Sequence, residues 1–153
     1  EIKLDFHSET SVQLVQLLSK KYWNINPKFT KSKIGFENNL TGKQAGVIIG
    51  DRAYQYRDRF KHVYDLPAEW KKYTGLPFVF ACWVANKPLS ESFKKSFIEA
   101  LNYGIKKLDF SLSEKGINFS SSINQRRYLT KVISYYLDSE KKQALDLFLQ
   151  EIS

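Results

Sequence analysis

Hydrophobic positions change rhythm near residue 86. Before it, short apolar runs alternate with helical stripes; after it, only helical stripes remain. Residues 2–6 and 29–34 alternate in the manner of strands, and residues 45–49 form a pure apolar run ending at Gly50-Asp51. Residues 62–65 read as a further short strand. The run at residues 78–85, crowded with Phe, Val and Trp, reads as a strand buried on both faces. Between these runs, Val12, Val15, Leu18 and Tyr22 recur at helical spacing after Ser8, Thr10 and Ser11, all good N-cap residues. Asn26-Pro27 ends that helix, residues 37–42 are turn-rich, a helix is expected from Asp51 through Arg59, and Asp65 stands before one carrying Trp70. Strands alternating with helices predict an α/β lobe over residues 1–85, with helices on a mostly parallel sheet. Over residues 86–153 the pattern predicts helices: one with the stripe Phe93, Phe97, Leu101, Ile105 and Leu108, one over 129–137, and a last one after Asp138. A Ser- and Gly-rich loop is expected at residues 113–124.

Composition narrows the class. The chain has 153 residues, 42% of them apolar, enough for one or two compact lobes and too apolar for a disordered chain. No stretch approaches the roughly 20 apolar residues that span a bilayer, and no export signal is visible. One cysteine, Cys82, falls within the expected buried strand and reads as a structural thiol in a reducing, cytoplasmic setting. Two histidines and one cysteine, without ligand spacing, exclude an evident metal site. Nucleotide cofactors find no glycine-rich phosphate loop. The chain lacks methionine and opens in strand rhythm, which reads as a fragment of a longer protein.

The net charge is +8, with Lys20, Lys21, Lys28, Lys31 and Lys33 in a stretch free of carboxylates. Such a footprint could serve nucleic acid, but its aromatic residues lie largely in strands and core stripes, so a solvated helix end is the favoured reading. A positive field also suits a small dianionic substrate. Three groups could carry that chemistry. Ser8, Thr10 and Ser11 open a helix, whose free N–H groups and dipole bind carboxylates; ordinary capping explains them equally well. Gly50 and Asp51 end a strand, where Asp51 could accept a proton or cap the next helix. Thr74, Gly75, Leu76 and Pro77 form a turn at the mouth of the expected buried strand, either a pocket wall or a tight connection. His7 and His62 have no Ser or Cys arranged as a nucleophilic set.

The segments Leu4-Asp5-Phe6-His7-Ser8-Glu9-Thr10-Ser11-Val12, residues 45–53, and Tyr-Asp-Leu/Glu-Trp-Lys/Thr-Gly-Leu-Pro-Phe-Val-Phe-Ala at residues 64–81 occur in order and spacing. Together they resemble the menaquinone-biosynthesis family of the futalosine route, closest to its chorismate dehydratase branch. The resemblance runs from residue 1 to the C-terminal helices. It implies a type II periplasmic-binding-protein-like fold with two α/β lobes, crossing strands and a cleft. It also implies that an N-terminal segment is missing and that residues 86–153 complete the first lobe. The implied reaction is dehydration of chorismate without metal or organic cofactor, with Ser8, Thr10, Ser11, Gly50, Asp51 and residues 74–77 lining the cleft. A sister enzyme places a histidine base near the strand end where this chain has Gly50, so that chemistry does not carry over. The base remains open among Asp51, a residue of the missing segment and the substrate's own carboxylate. A non-catalytic solute-binding lobe is the competing class. The sequence leaves homodimerisation open.

Overall fold

The structure, a computed structural model, describes residues 1–114 and 125–153. It divides into two compact units, Glu1–Ala81 with Leu137–Ser153, and Cys82–Tyr136.

Helix α1, Glu9–Lys21, organises the first unit. Ser8 Oγ accepts the Ser11 N–H at 3.0 Å, Glu9 lies in the positive first turn, and Lys20 and Lys21 lie in the negative last one. The helix ends through Trp23 N–H to the Leu18 carbonyl at 2.8 Å and Asn24 at φ 52°, a left-handed position that Asn tolerates. On one side Val15 meets the sheet in a cluster with Ile2, Leu4 and Val47. On the other, Leu14, Leu17 and Leu18 pack with Trp70 and Phe148. A helix covered on two faces must be apolar on both, which explains its broad stripe.

The sheet has three parallel strands in the order β2-β1-β3: β1 is Ile2–Leu4, β2 is Phe29–Lys31 and β3 is Ala45–Gly46. Ile2 pairs with Phe29 on one side and with Ala45 on the other. Gly46 is required by close approach, since a Cβ there would lie 2.7 Å from the Phe36 ring. Phe36 belongs to a 3-10 turn, Phe36–Asn39, and Asp51 opens the short helix α2, Asp51–Tyr56, followed by a 3-10 turn at Arg57–Arg59. Helix α3, Leu66–Thr74, starts where Asp65 Oδ1 accepts the Ala68 N–H at 3.0 Å. Its Trp70 is fully buried, edge-on to Phe148 at 5.8 Å and to Phe78 at 5.6 Å. Helix α7, Ser139–Ile152, is capped by Asp138 and supplies Phe148. It therefore joins the first unit.

Three expected strands differ. Residues 78–85 form no strand: Phe80 is exposed, Trp83 is 77% and Val84 86% exposed, and Cys82 is an exposed thiol rather than a buried one. Residues 62–65 are likewise exposed and join no ladder. Of residues 45–49 only the first two form a ladder and only Val47 is buried. A run becomes a strand only where an edge offers hydrogen bonds, and β1 ends at Leu4.

In the second unit, α4, Glu91–Lys106, begins where Ser90 Oγ accepts the Phe93 N–H at 3.3 Å, and none of its residues is buried. Phe97 lies between the rings of Trp83 at 5.4 Å and Phe93 at 5.9 Å. Helix α5, Leu108–Glu114, carries Ser113 and Glu114 of the expected loop; its remainder lies outside the described residues. The helix expected at 129–137 is instead a short α6, Gln125–Arg127, and a wide π-type turn, Tyr128–Val132. Thr130, Val132 and Ile133, all β-branched, disfavour its continuation. Among the described residues no helix is long and apolar enough to cross a membrane.

Candidate functional site

Because β1 and β3 run parallel, their carboxyl ends open onto the same edge of the sheet. At the end of β1, the buried Asp5 turns the chain: its Oδ1 accepts the His7 N–H at 2.8 Å, and Ser8 then caps α1. The Ser11 N–H is engaged by that cap. The Thr10 amide lies in the first turn, where no intrahelical acceptor exists. Thr10 is half-buried, and no hydrogen bond engages its hydroxyl among the described residues.

Beyond β3 the Val47 N–H donates to the Lys3 carbonyl at 2.8 Å, and the chain leaves the sheet at Gly50. Gly50 has φ 60° and ψ −146°, a conformation open in practice only to glycine. Asp51 is the exposed first residue of α2 and makes no capping bond, so its carboxylate is available to solvent or ligand.

Arg52, absent from the sequence-derived candidates, joins the two strand ends. One guanidinium nitrogen donates to Asp5 Oδ2 at 2.5 Å and another to Glu37, while the group lies 5.0 Å from the Phe6 ring centre. The Asp5 and Glu37 side chains are 0% and 2% exposed, that of Arg52 27%. Two buried carboxylates thus face one cation. Arg52 is already engaged and is not a free receptor for a substrate carboxylate. The sequence signal was weak: Asp5 and Glu37 stand singly beside buried apolar residues, far from Arg52 along the chain.

The turn at residues 74–77 belongs elsewhere. Thr74 Oγ1 donates to the Trp70 carbonyl at 2.9 Å and accepts the Leu76 N–H at 3.1 Å, and the Gly75 N–H donates to the Lys71 carbonyl at 2.8 Å. These bonds end α3. The neighbouring Tyr73 ring lies 5.6 Å from Tyr22, at the far end of α1 from Thr10. At 1.5 Å per residue the two ends are about 18 Å apart. The structure therefore gathers Ser8, Thr10, Ser11, Gly50 and Asp51 at one edge, and residues 74–77 apart from them.

Other polar groups are structural. Glu1 accepts hydrogen bonds from Lys3, Thr30 and Gln44, which lower its carboxyl to about 2. Lys72 at 2.7 Å, aided by Trp23 Nε1 at 3.2 Å, holds the Glu69 carboxyl below its ordinary value. His7 and His62 are exposed. Among the described residues no cluster of three or more His, Cys, Asp or Glu is placed to hold a metal.

Parallel strands, a capped central helix and polar turns at the carboxyl edge define an α/β unit of the kind that binds ligands beyond its strand ends. The chain belongs to the menaquinone biosynthesis family, whose model matches residues 1–153. It is 36% identical over 114 residues to a chorismate dehydratase of Campylobacter jejuni subsp. jejuni serotype O:23/36 (strain 81-176), covering 71% of this chain and 49% of that protein. The chain thus spans about half the length of the curated relative it matches.

Proposed function

We propose that the full-length protein is a chorismate dehydratase, a cytoplasmic hydro-lyase that forms 3-[(1-carboxyvinyl)oxy]benzoate for menaquinone by the futalosine route. The likeness to the Campylobacter enzyme, within a family match over the whole chain, carries this reading. The proposed architecture is two-lobed and periplasmic-binding-protein-like, with the sheet edge of the first unit facing a cleft.

The chemistry asks little of the protein. Breaking the ring C–O bond and a ring C–H bond releases water and leaves an aromatic ring, so the driving force lies in the substrate. The protein has to hold two carboxylates, exclude water and place a base, which are contributions of position and field. The free first-turn amides of α1 and the hydroxyls of Ser8 and Thr10 suit one carboxylate, whereas Ser11 is buried. Gly50 lets a ligand approach the backbone at the neighbouring strand end. The candidates for the base are Asp51, the substrate's own carboxylate and a residue of the rest of the full-length protein. Residues 74–77 enter the proposal as a separate part of the binding surface, given their distance from Thr10.

Mass spectrometry of chorismate incubated with the full-length gene product, without added metal or cofactor, tests this. The expected product is lighter by one water. Tight binding of chorismate without loss of water would make the protein a carboxylate-binding module and overturn the proposal.

A further inference from the structure

Arg52 follows Asp51 directly and points back across the sheet edge. Arginine is a common clamp for ligand carboxylates. The geometry of Arg52 assigns it a different task. The guanidinium reaches Asp5 Oδ2 at 2.5 Å, and Asp5 Oδ1 at the same time holds the His7 N–H at 2.8 Å. One carboxylate therefore fastens both the turn into α1 and the start of α2. Glu37 pairs with another guanidinium nitrogen, and the Phe6 ring lies against the group. Along the chain, Asp5 lies three residues before Ser8 and Arg52 lies two after Gly50. No other ion pair among the described residues joins these two segments.

We infer that the Asp5–Arg52 pair is a positioning device that fixes the Ser8–Thr10–Ser11 turn relative to Gly50 and Asp51, and so sets the orientation of the bound substrate. The inference rests on the proposed function for its kinetic consequence, though not for its structural one. Arg52 acts through the segments it ties and does not touch the substrate. Its excess of carboxylate partners repels, rather than recruits, a further anion at the guanidinium.

The decisive comparison is Asp5→Asn against Glu37→Gln in the full-length protein. Each removes one negative charge and leaves Arg52 with one carboxylate. The amide introduced by Asp5→Asn can accept the His7 N–H or face Arg52 with its oxygen, but not both, because its other atom is a donor. Glu37→Gln keeps the Asp5–Arg52 link intact. If registration of the two segments matters, Asp5→Asn lowers kcat at least about tenfold with KM changed less than about threefold, since each end of the substrate still finds its donors while their mutual alignment is lost. Glu37→Gln then loses much less. Arg52→Lys, which keeps the charge without the planar fork, behaves as Asp5→Asn. Equal effects of the two carboxylate variants, or normal kcat in folded Asp5→Asn, would overturn the inference.

Amide hydrogen exchange supplies a readout that needs no substrate. In Asp5→Asn the Ser11 and Ala53 amides, bonded to Ser8 Oγ and the Gly50 carbonyl at 3.0 Å each, exchange faster together while the Ala68 cap of α3 is unchanged. Unchanged exchange at both sites overturns the inference even if chorismate is not the substrate. Wild-type protein inert toward chorismate with coupled exchange at both sites refutes only the proposed reaction.

Discussion

Gly50 gives the sharpest quantitative test of the site's backbone. Its φ of 60° with ψ of −146° lies outside the ordinary left-handed helical region, whereas Gly35, at φ 82° and ψ 7°, lies within it. A Cβ at either position would meet nothing within 4 Å, so substitution there is a test of backbone conformation and not of packing. At Gly50 an L-residue costs about 1–3 kcal/mol of strain. Loss of unfolded-state freedom offsets about 0.4–1 kcal/mol of this. At the middle of these ranges Gly50→Ala should therefore destabilise by about 1.3 kcal/mol, and with a urea slope of about 2 kcal/mol per molar the midpoint falls by about 0.6 M. Gly35→Asn, at a position Asn accepts, should move it by much less. Urea titration of full-length wild type and both variants decides the matter. A Gly50→Ala midpoint equal to wild type, or above it, would refute the assigned backbone. The same strain explains why a histidine cannot simply be placed here: Gly50→His should lose activity rather than acquire a base.

Trp70→Ala, which empties the centre of the aromatic cluster with Phe78 and Phe148, should cost about 3–5 kcal/mol in the same titration; a loss below about 1 kcal/mol would contradict its burial. Acid should weaken the first unit through Glu1 and Glu69. Both folded carboxyls lie below the ordinary value of 4.5, so their contribution is whole above that pH and is lost as pH falls below it, toward about 2 for Glu1; Glu69→Gln should flatten the fall, and an unchanged profile would contradict its pairing with Lys72. Thr10→Val, which keeps shape and removes the hydroxyl, should weaken chorismate binding by about 1–3 kcal/mol, read as a rise in KM; unchanged kinetics in the folded variant would leave Thr10 as a plain first-turn residue.

Local grammar was legible in the sequence. Ser8, Asp65, Ser90 and Asp138 cap helices through bonds spanning three residues, and such bonds are decided by nearest neighbours. The α/β class followed from the alternation of runs, and β1, β2 and β3 begin where that alternation put them, each shorter than its run. What failed depended on distant partners. Residues 78–85 have the composition of a buried strand, yet composition cannot provide the neighbouring edge or covering faces, and Trp83 and Val84 stand in solvent. Cys82 was misplaced with them.

The site divides along the same line. Its hydroxyls and glycine were visible because turn chemistry is local, while the ion cluster that joins them spans 47 residues from Asp5 to Arg52. A capping serine and a ligand-binding serine are also the same residue in sequence; only the structure shows that the Ser11 amide is engaged while the Thr10 hydroxyl is not. The distinction changes where a substrate carboxylate should be sought. Ser8 Oγ caps the helix through the Ser11 N–H, so loss of the Ser8 hydroxyl would damage the helix start as much as any ligand contact. Thr10 has no such duty, and for that reason a change there separates recognition from folding.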